Sequence, residues 1–237
     1  MWRGSSRRVA EAAAPVLIPA RGSARGSAES RESIAGNAGL TGAGIHGHSD
    51  AVKTERRIVL GVTGSIAAYR AAELVRLMKA RDWEVRVVMT TAAARFVGEV
   101  TFRTLSQNPV ASDMFGEPAE WKPGHIALAD AADVMVIAPC TANVLAKLAH
   151  GLADDLLSCT ALATRAPLVV APAMNEKMWD HPATQANADV LRQRGVRIVE
   201  VGTGDLACGY QGRGRLASLD DIMAEIESAL QRGVSER

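Results

Sequence analysis

Cysteine is scarce in this chain, and what it has is not paired. The 237 residues hold three, Cys140, Cys159 and Cys208, without the spacing of a zinc site and without a disulfide framework. The expectation is a reducing, cytoplasmic setting and no metal centre. Long apolar runs are lacking too; none approaches the ~20 residues that span a bilayer. Neither sign of charge dominates. A formal net charge of +1 gives no electrostatic case for a nucleic-acid or anionic-membrane partner. No internal repeat, Walker sequence or full G-x-G-x-x-G is present. What remains, 48% hydrophobic and 22% charged residues, suits one α/β domain with an appendage.

The appendage is residues 1–54. Ala, Gly, Ser and Arg dominate it, with no sustained periodicity and almost no aromatic side chains. Such a segment buries too little apolar surface to offset its ordering entropy, so a disordered or low-complexity extension is expected. Arg3, Arg7, Arg8, Arg21 and Arg25 faintly suggest a transit peptide. Glu11, Pro15 and Pro19 interrupt residues 9–20, which removes the apolar core of a secretory signal. A tail or a mis-assigned start is the plainer reading. His46 and His48 have no thiol or carboxylate support as metal ligands.

From residue 55 strands and helices alternate. Residues 57–63, 84–90, 133–139, 168–172 and 197–201 read as short apolar strands. Residues 66–80, 91–97, 141–150, 155–163, 185–194 and 220–230 carry helical spacing. Apolar strands separated by helices indicate a parallel sheet covered on both faces. Right-handed crossovers then give a three-layer, doubly wound, Rossmann-like α/β sandwich over residues 55–237. Residues 108–124, with Pro109, Pro118 and Pro123, read as a surface excursion, and the glycine-dense 202–216 as a mobile loop or lid.

Four stretches carry chemistry. Pro172-Ala173-Met174-Asn175-Glu176-Lys177-Met178-Trp179 follows a buried strand, so Asn175 falls at its carboxyl end, where open α/β sheets bind ligands. Gly64-Ser65-Ile66 turns from strand to helix, with Gly64 for the tight turn and Ser65 as N-cap, and offers an anion site at a helix start. Pro139-Cys140-Thr141-Ala142-Asn143 makes a second strand-to-helix turn. His125 opens a helical stretch. Each has a bland counterpart: packing Met and Trp, ordinary caps at Ser65, Thr141 and Asn143, a structural His, and small packed residues at Cys140 and Cys159. The second strand ends at Met89-Thr90-Thr91 without the acidic residue that meets the ribose of NAD.

Taken together these stretches resemble the flavin-dependent cysteine decarboxylases over about residues 56–230. The 172–179 segment matches their Pro-x-Met-Asn-x-x-Met-Trp signature at every fixed position. The first turn is similar to their Gly-x-Ser-Ile/Val-Ala loop, and His125 stands in a similar His-Ile-x-Leu context. Residues 207–215, with Cys208, resemble the Ala-Cys-Gly-x-x-Gly-x-Gly-Arg segment of the phosphopantothenoylcysteine decarboxylases. The lantibiotic peptidylcysteine decarboxylases lack that cysteine. The resemblance implies FMN held by Gly64, Ser65, Ile66, Thr90, Pro139, Cys140, Thr141, Ala142, Asn143 and Ala173.

It also implies decarboxylation of 4'-phospho-N-pantothenoylcysteine to 4'-phosphopantetheine, a step of coenzyme A synthesis. The route runs through thiol oxidation to a thioaldehyde, loss of carbon dioxide and reduction of the enethiol. In that scheme Asn175 orients the carboxylate, His125 acts near the thiol and Cys208 donates a proton. A homotrimer or multiple of trimers would share FMN and substrate between subunits, with the 172–179 segment closing over a neighbour's site. A phosphopantothenate–cysteine ligase, fused in many bacterial homologues, would be a separate partner. Two alternatives stay open: a flavin prenyltransferase, whose pattern lacks the 172–179 signature, and a non-enzymatic FMN-binding regulatory subunit, which has no need of Cys208.

Overall fold

The computed structural model describes residues 56–116, 122–205, 209 and 211–235. The readings made of residues 1–54, Pro118 and Cys208 lie outside them. Five strands, β1 (Arg57–Val62), β2 (Glu84–Met89), β3 (Val134–Cys140), β4 (Leu168–Pro172) and β5 (Arg197–Ile198), form one parallel sheet in the order β2-β1-β3-β4-β5. The doubly wound expectation holds. Chain order reverses between β1 and β3, which opens a crevice at their carboxyl ends.

The strands are central because both of their faces are apolar. β3 is buried along its whole length, and Leu60 of β1 lies opposite Val87 on one side and Val136 on the other. Its alternate residues feed two cores. Leu60, Val136 and Val169 pack with Leu74 and Met78 of α1 (Ala68–Lys79), Phe102 of α2 (Glu99–Ser106), and Ile222 and Ile226 of α8 (Leu219–Ser235). Met135, Ile137 and Val170 pack on the opposite face, which is covered by α3 (Gly124–Ala131), α4 (Ala142–His150), α5 (Leu156–Ala163) and α7 (Pro182–Gln193). Leu145 and Leu157 lie in this second core. Full burial of each such side chain stabilises the fold by about 1.5–3 kcal/mol.

Several local readings are corrected. Residues 91–97 make one 3-10 turn, Ala93–Arg95, because the Thr90 hydroxyl accepts the Ala93 N–H at 3.2 Å and ends β2; the helix proper, α2, starts after Gly98. The excursion at 108–124 begins by lining the sheet edge. Met89 N–H donates to the Ala111 carbonyl at 2.8 Å and Ala111 N–H to that of Val87 at 2.9 Å, so backbone groups of β2 are satisfied there. The last strand is two residues long, and α7 starts earlier than read, with Pro182 in its first turn. Within the expected loop, β6 (Gly202–Asp205) and β7 (Gln211–Arg215) pair as an antiparallel ribbon. Between β4 and α7 sits one further turn, α6 (Glu176–Trp179), capped by Asn175.

Candidate active site

A cavity of about 520 Å³ opens at the carboxyl ends of β1, β3 and β4. Its first wall is the turn after β1, residues 64–67, with Tyr69 and Arg70 on the first turn of α1. Thr141 and Ala142 at the start of α4 form the second. Residues 173–175 and Met178 form the third, and residues 214–216 of the ribbon close the side. The turn is tight because Gly64 passes against the 3-10 turn, where an added Cβ would come within 2.5 Å of the Ala92 Cβ. Ser65 Oγ accepts the Ala67 N–H at 3.3 Å, yet the N-cap of α1 is Ala67, two residues later than the sequence suggested.

Thr63 ties this turn to the next. Its buried hydroxyl donates to the Pro139 carbonyl at 2.7 Å and accepts the Thr141 N–H at 3.1 Å, fixing the two helix starts relative to each other. Thr141 then caps α4 through the Val144 N–H at 3.4 Å. Helices α1 and α4 both begin at the cavity, and their partial positive ends favour an anion there.

Asn175 stands on the third wall. Its Oδ1 accepts the Lys177 N–H at 2.9 Å as the cap of α6, while Trp179, buried in the second core, anchors that turn from below. Met178 is 50% exposed and borders the cavity, so the two hydrophobic residues of the motif have divided roles. The ribbon docks on the same segment. Met174 N–H donates to the Gly214 carbonyl at 2.9 Å and Arg213 N–H to Glu176 Oε1 at 3.1 Å. Gly214 has φ +115°, and a side chain there would run into the Met174 carbonyl.

Of the residues expected to bind a cofactor, Gly64, Ser65, Ile66, Thr141, Ala142 and Ala173 line the cavity. Pro139 and Cys140 do not; they are strand residues beneath it. Burial leaves Cys140 without solvent access and pushes its thiol pKa far up. Asn143, inside α4, is exposed and not among the cavity residues; Thr90 is not among them either, and its hydroxyl accepts the Ala93 N–H. His125, half-buried in the first turn of α3, is not among the cavity residues of the single chain. The 172–179 segment lies beside its own chain's first turn. Sequence reasoning missed Thr63, Tyr69, Arg70, Arg215 and Leu216. The signal for Arg70 was its helical spacing from Ile66; a buried hydroxyl at a strand end leaves no such pattern.

The arrangement is that of a doubly wound α/β protein with a ligand cleft at its topological switch point, apolar on Ile66, Tyr69, Met174 and Met178, and bordered by the guanidiniums of Arg215 and of Arg70, which pairs with Glu73 at 3.1 Å. The chain belongs to the Flavoprotein family, whose model matches residues 46–231. It is 43% identical over 171 residues to the coenzyme A biosynthesis bifunctional protein CoaBC of Haemophilus influenzae, and 46% identical over 168 residues to that of Bacillus subtilis. These alignments cover 72% and 71% of this chain but 43% and 41% of those proteins, so it spans about two-fifths of their length. Among solved structures, a PPC decarboxylase cysteine-to-serine mutant complexed with pantothenoylaminoethenethiol aligns at TM-score 0.66 and 32% identity, over 73% of this chain and 97% of that one. The FMN-dependent cysteine decarboxylase SpaF aligns at TM-score 0.65 and 35% identity, over 76% and 97%.

Proposed function

We propose that this chain is an FMN-dependent decarboxylase that converts 4'-phospho-N-pantothenoylcysteine to 4'-phosphopantetheine in coenzyme A synthesis. The observation that carries the reading is that Asn175 and the residue 64–67 turn line one cleft. A carboxylate-binding amide therefore faces an anion-binding turn. The relatives support it: two are CoaBC proteins and one solved structure is a PPC decarboxylase.

The cleft suits FMN. Two helix starts and Ser65 meet a phosphate, and Ile66, Tyr69 and Met178 offer an apolar bed for a flat ring. Bound there, FMN supplies two-electron redox chemistry, which gives a cysteine carboxylate the electron sink it lacks. The chain's own groups do the rest. Asn175 hydrogen-bonds the carboxylate without the grip of a guanidinium, so carbon dioxide can leave. Arg70 and Arg215 meet the substrate's phosphate. Cys208 is assigned the final proton from its motif alone. His125 reaches the thiol from a neighbouring subunit in a homotrimer or multiple of trimers, which is consistent with its absence from the single-chain cleft. A separate phosphopantothenate–cysteine ligase supplies the substrate where none is fused, and the setting is cytoplasmic. None of the helices among the described residues is long and apolar enough to cross a membrane.

The test is to load the purified protein with FMN, add phosphopantothenoylcysteine and identify the product by mass. Phosphopantetheine is expected; an unchanged substrate in the presence of bound FMN would overturn the decarboxylase reading and leave the prenyltransferase and regulatory-subunit readings.

A further inference from the structure

A second cavity, of about 940 Å³, lies at the opposite, amino-terminal edge of the sheet. It is built by the end of α3, the α5–β4 and α7–β5 connections and the last turns of α8. Its charged lining is four arginines, Arg165, Arg194, Arg197 and Arg232, and one acid, Asp130. The four do not share one role. Arg197 is satisfied internally, with Glu225 at 2.6 Å and the Ser228 hydroxyl at 2.9 Å. Arg194 donates to the Ala149 carbonyl at 2.7 Å, which holds its guanidinium in place, and it forms no ion pair with the described residues. Arg165 and Arg232 are exposed and form no ion pair with the described residues. Asp130 has its own cation, Lys122, at 3.4 Å.

Arginines near helix carboxyl ends are ordinary, because they complement the dipole. That accounts for Arg194 or Arg232 singly. It does not account for three guanidiniums, without ion pairs to the described residues, around one concavity whose remaining walls are small: Ala129, Ala132, Ala166, Gly195 and Ala229. Small walls leave the guanidinium edges open to a ligand, and the planar fork of arginine matches phosphate oxygens two at a time. The three arginines are carried by three separate elements around a cavity of about 940 Å³, which has room for a ligand with more than one phosphate.

We propose that this cavity is a binding site for a di- or triphosphate group, free or carried on a nucleoside, separate from the catalytic cleft. The arginines on the α5–β4 connection and on α8 recruit the ligand, and Arg194 is its fixed anchor. The site is independent of the decarboxylase assignment, since no residue is shared between the two cavities.

Calorimetric titration of the FMN-loaded protein with inorganic tripolyphosphate tests the proposal, with orthophosphate and ATP titrated alongside. Tripolyphosphate is expected to bind at least about tenfold more tightly than orthophosphate, and to weaken as salt is raised, as guanidinium–phosphate contacts at an open site require. ATP binding more tightly than tripolyphosphate identifies the nucleotide as the source; weaker binding identifies the free polyphosphate. The double variant Arg165→Gln/Arg232→Gln is expected to lose at least about tenfold in tripolyphosphate affinity while FMN content and turnover stay at the parent level. Absence of binding at millimolar tripolyphosphate overturns the proposal. So does unchanged affinity in the double variant, which would place the anion in the catalytic cleft.

Discussion

At the scale of single residues, Thr63 and Asn175 hold the site by different means. Thr63 is structural: its hydroxyl is at once donor and acceptor between two strand ends. Thr63→Val keeps the shape and deletes both bonds, leaving the Pro139 carbonyl and Thr141 N–H to be satisfied elsewhere. We expect a loss of about 1–3 kcal/mol in urea unfolding, together with weaker FMN binding as the turns at Gly64 and Thr141 drift apart. A variant with parent stability and affinity would remove Thr63 from the site's framework. Asn175 is chemical. Asn175→Asp retains the cap of α6, since a carboxylate oxygen accepts the Lys177 N–H equally well, but sets like charge against the substrate carboxylate. Flavin retention with loss of turnover is expected, and an active variant would take Asn175 out of the mechanism. These two residues also mark how far the site was legible. Asn175, Gly64 and Ser65 announce themselves because strand, turn and cap chemistry are local. Thr63 and Arg215 act through partners 76 and more positions away or on another element, and nothing in their own neighbourhood records that.

Among the elements, α5 and the ribbon are the ones whose contacts lead to measurable expectations. Asp155 caps α5 in a reciprocal box with Ser158, and Lys147, largely buried, pairs with Asp154 at 2.6 Å and Asp155 at 2.7 Å. Burial disfavours ionised Asp155, but the hydrogen bonds from Lys147 and Ser158 outweigh it and hold its carboxyl below the usual range. A carboxyl depressed in the folded state stabilises fully above the unfolded pKa of about 3.9 and loses that contribution as pH falls through the lower folded value. Asp155→Ala is therefore expected to cost about 0.5–2 kcal/mol at neutral pH. The gap to the parent should narrow below about pH 4, read from urea midpoints across pH. In the ribbon, Glu176→Ala deletes the acceptor of the Arg213 N–H. Faster proteolytic cleavage within β7 is expected, with the melting of the main sheet little changed; equal cleavage rates would show that the Met174–Gly214 bond suffices. Amphipathic spacing made α1, α4 and α8 readable in advance. The ribbon was not, because its alternate glycines answer to close approach and not to strand propensity: Gly212 and Gly214 lie against Met174–Glu176, and Gly202 and Gly204 against Arg215 of the facing strand.

The whole molecule presents a cleft that one chain leaves open. Ile66 and Tyr69 are each 59% exposed and Met178 is 50% exposed around its mouth, an apolar rim unusual for a surface left to water. Asn175 belongs to that cleft in the single chain and His125 does not. If symmetric assembly completes the site, each active centre takes His125 from one subunit and Asn175 from its neighbour. Two inactive variants should then rescue each other. His125→Ala and Asn175→Asp, co-expressed with different tags and purified through both, are expected to yield mixed trimers in which about a third of the sites are intact. Each variant alone should bind FMN and turn over nothing. The parent protein should elute in light scattering as a trimer or a multiple of trimers. Mixed assemblies with no activity above the separate variants would place both side chains in one subunit's site. A fully active monomer would show that the exposed Ile66, Tyr69 and Met178 cover substrate and cofactor alone.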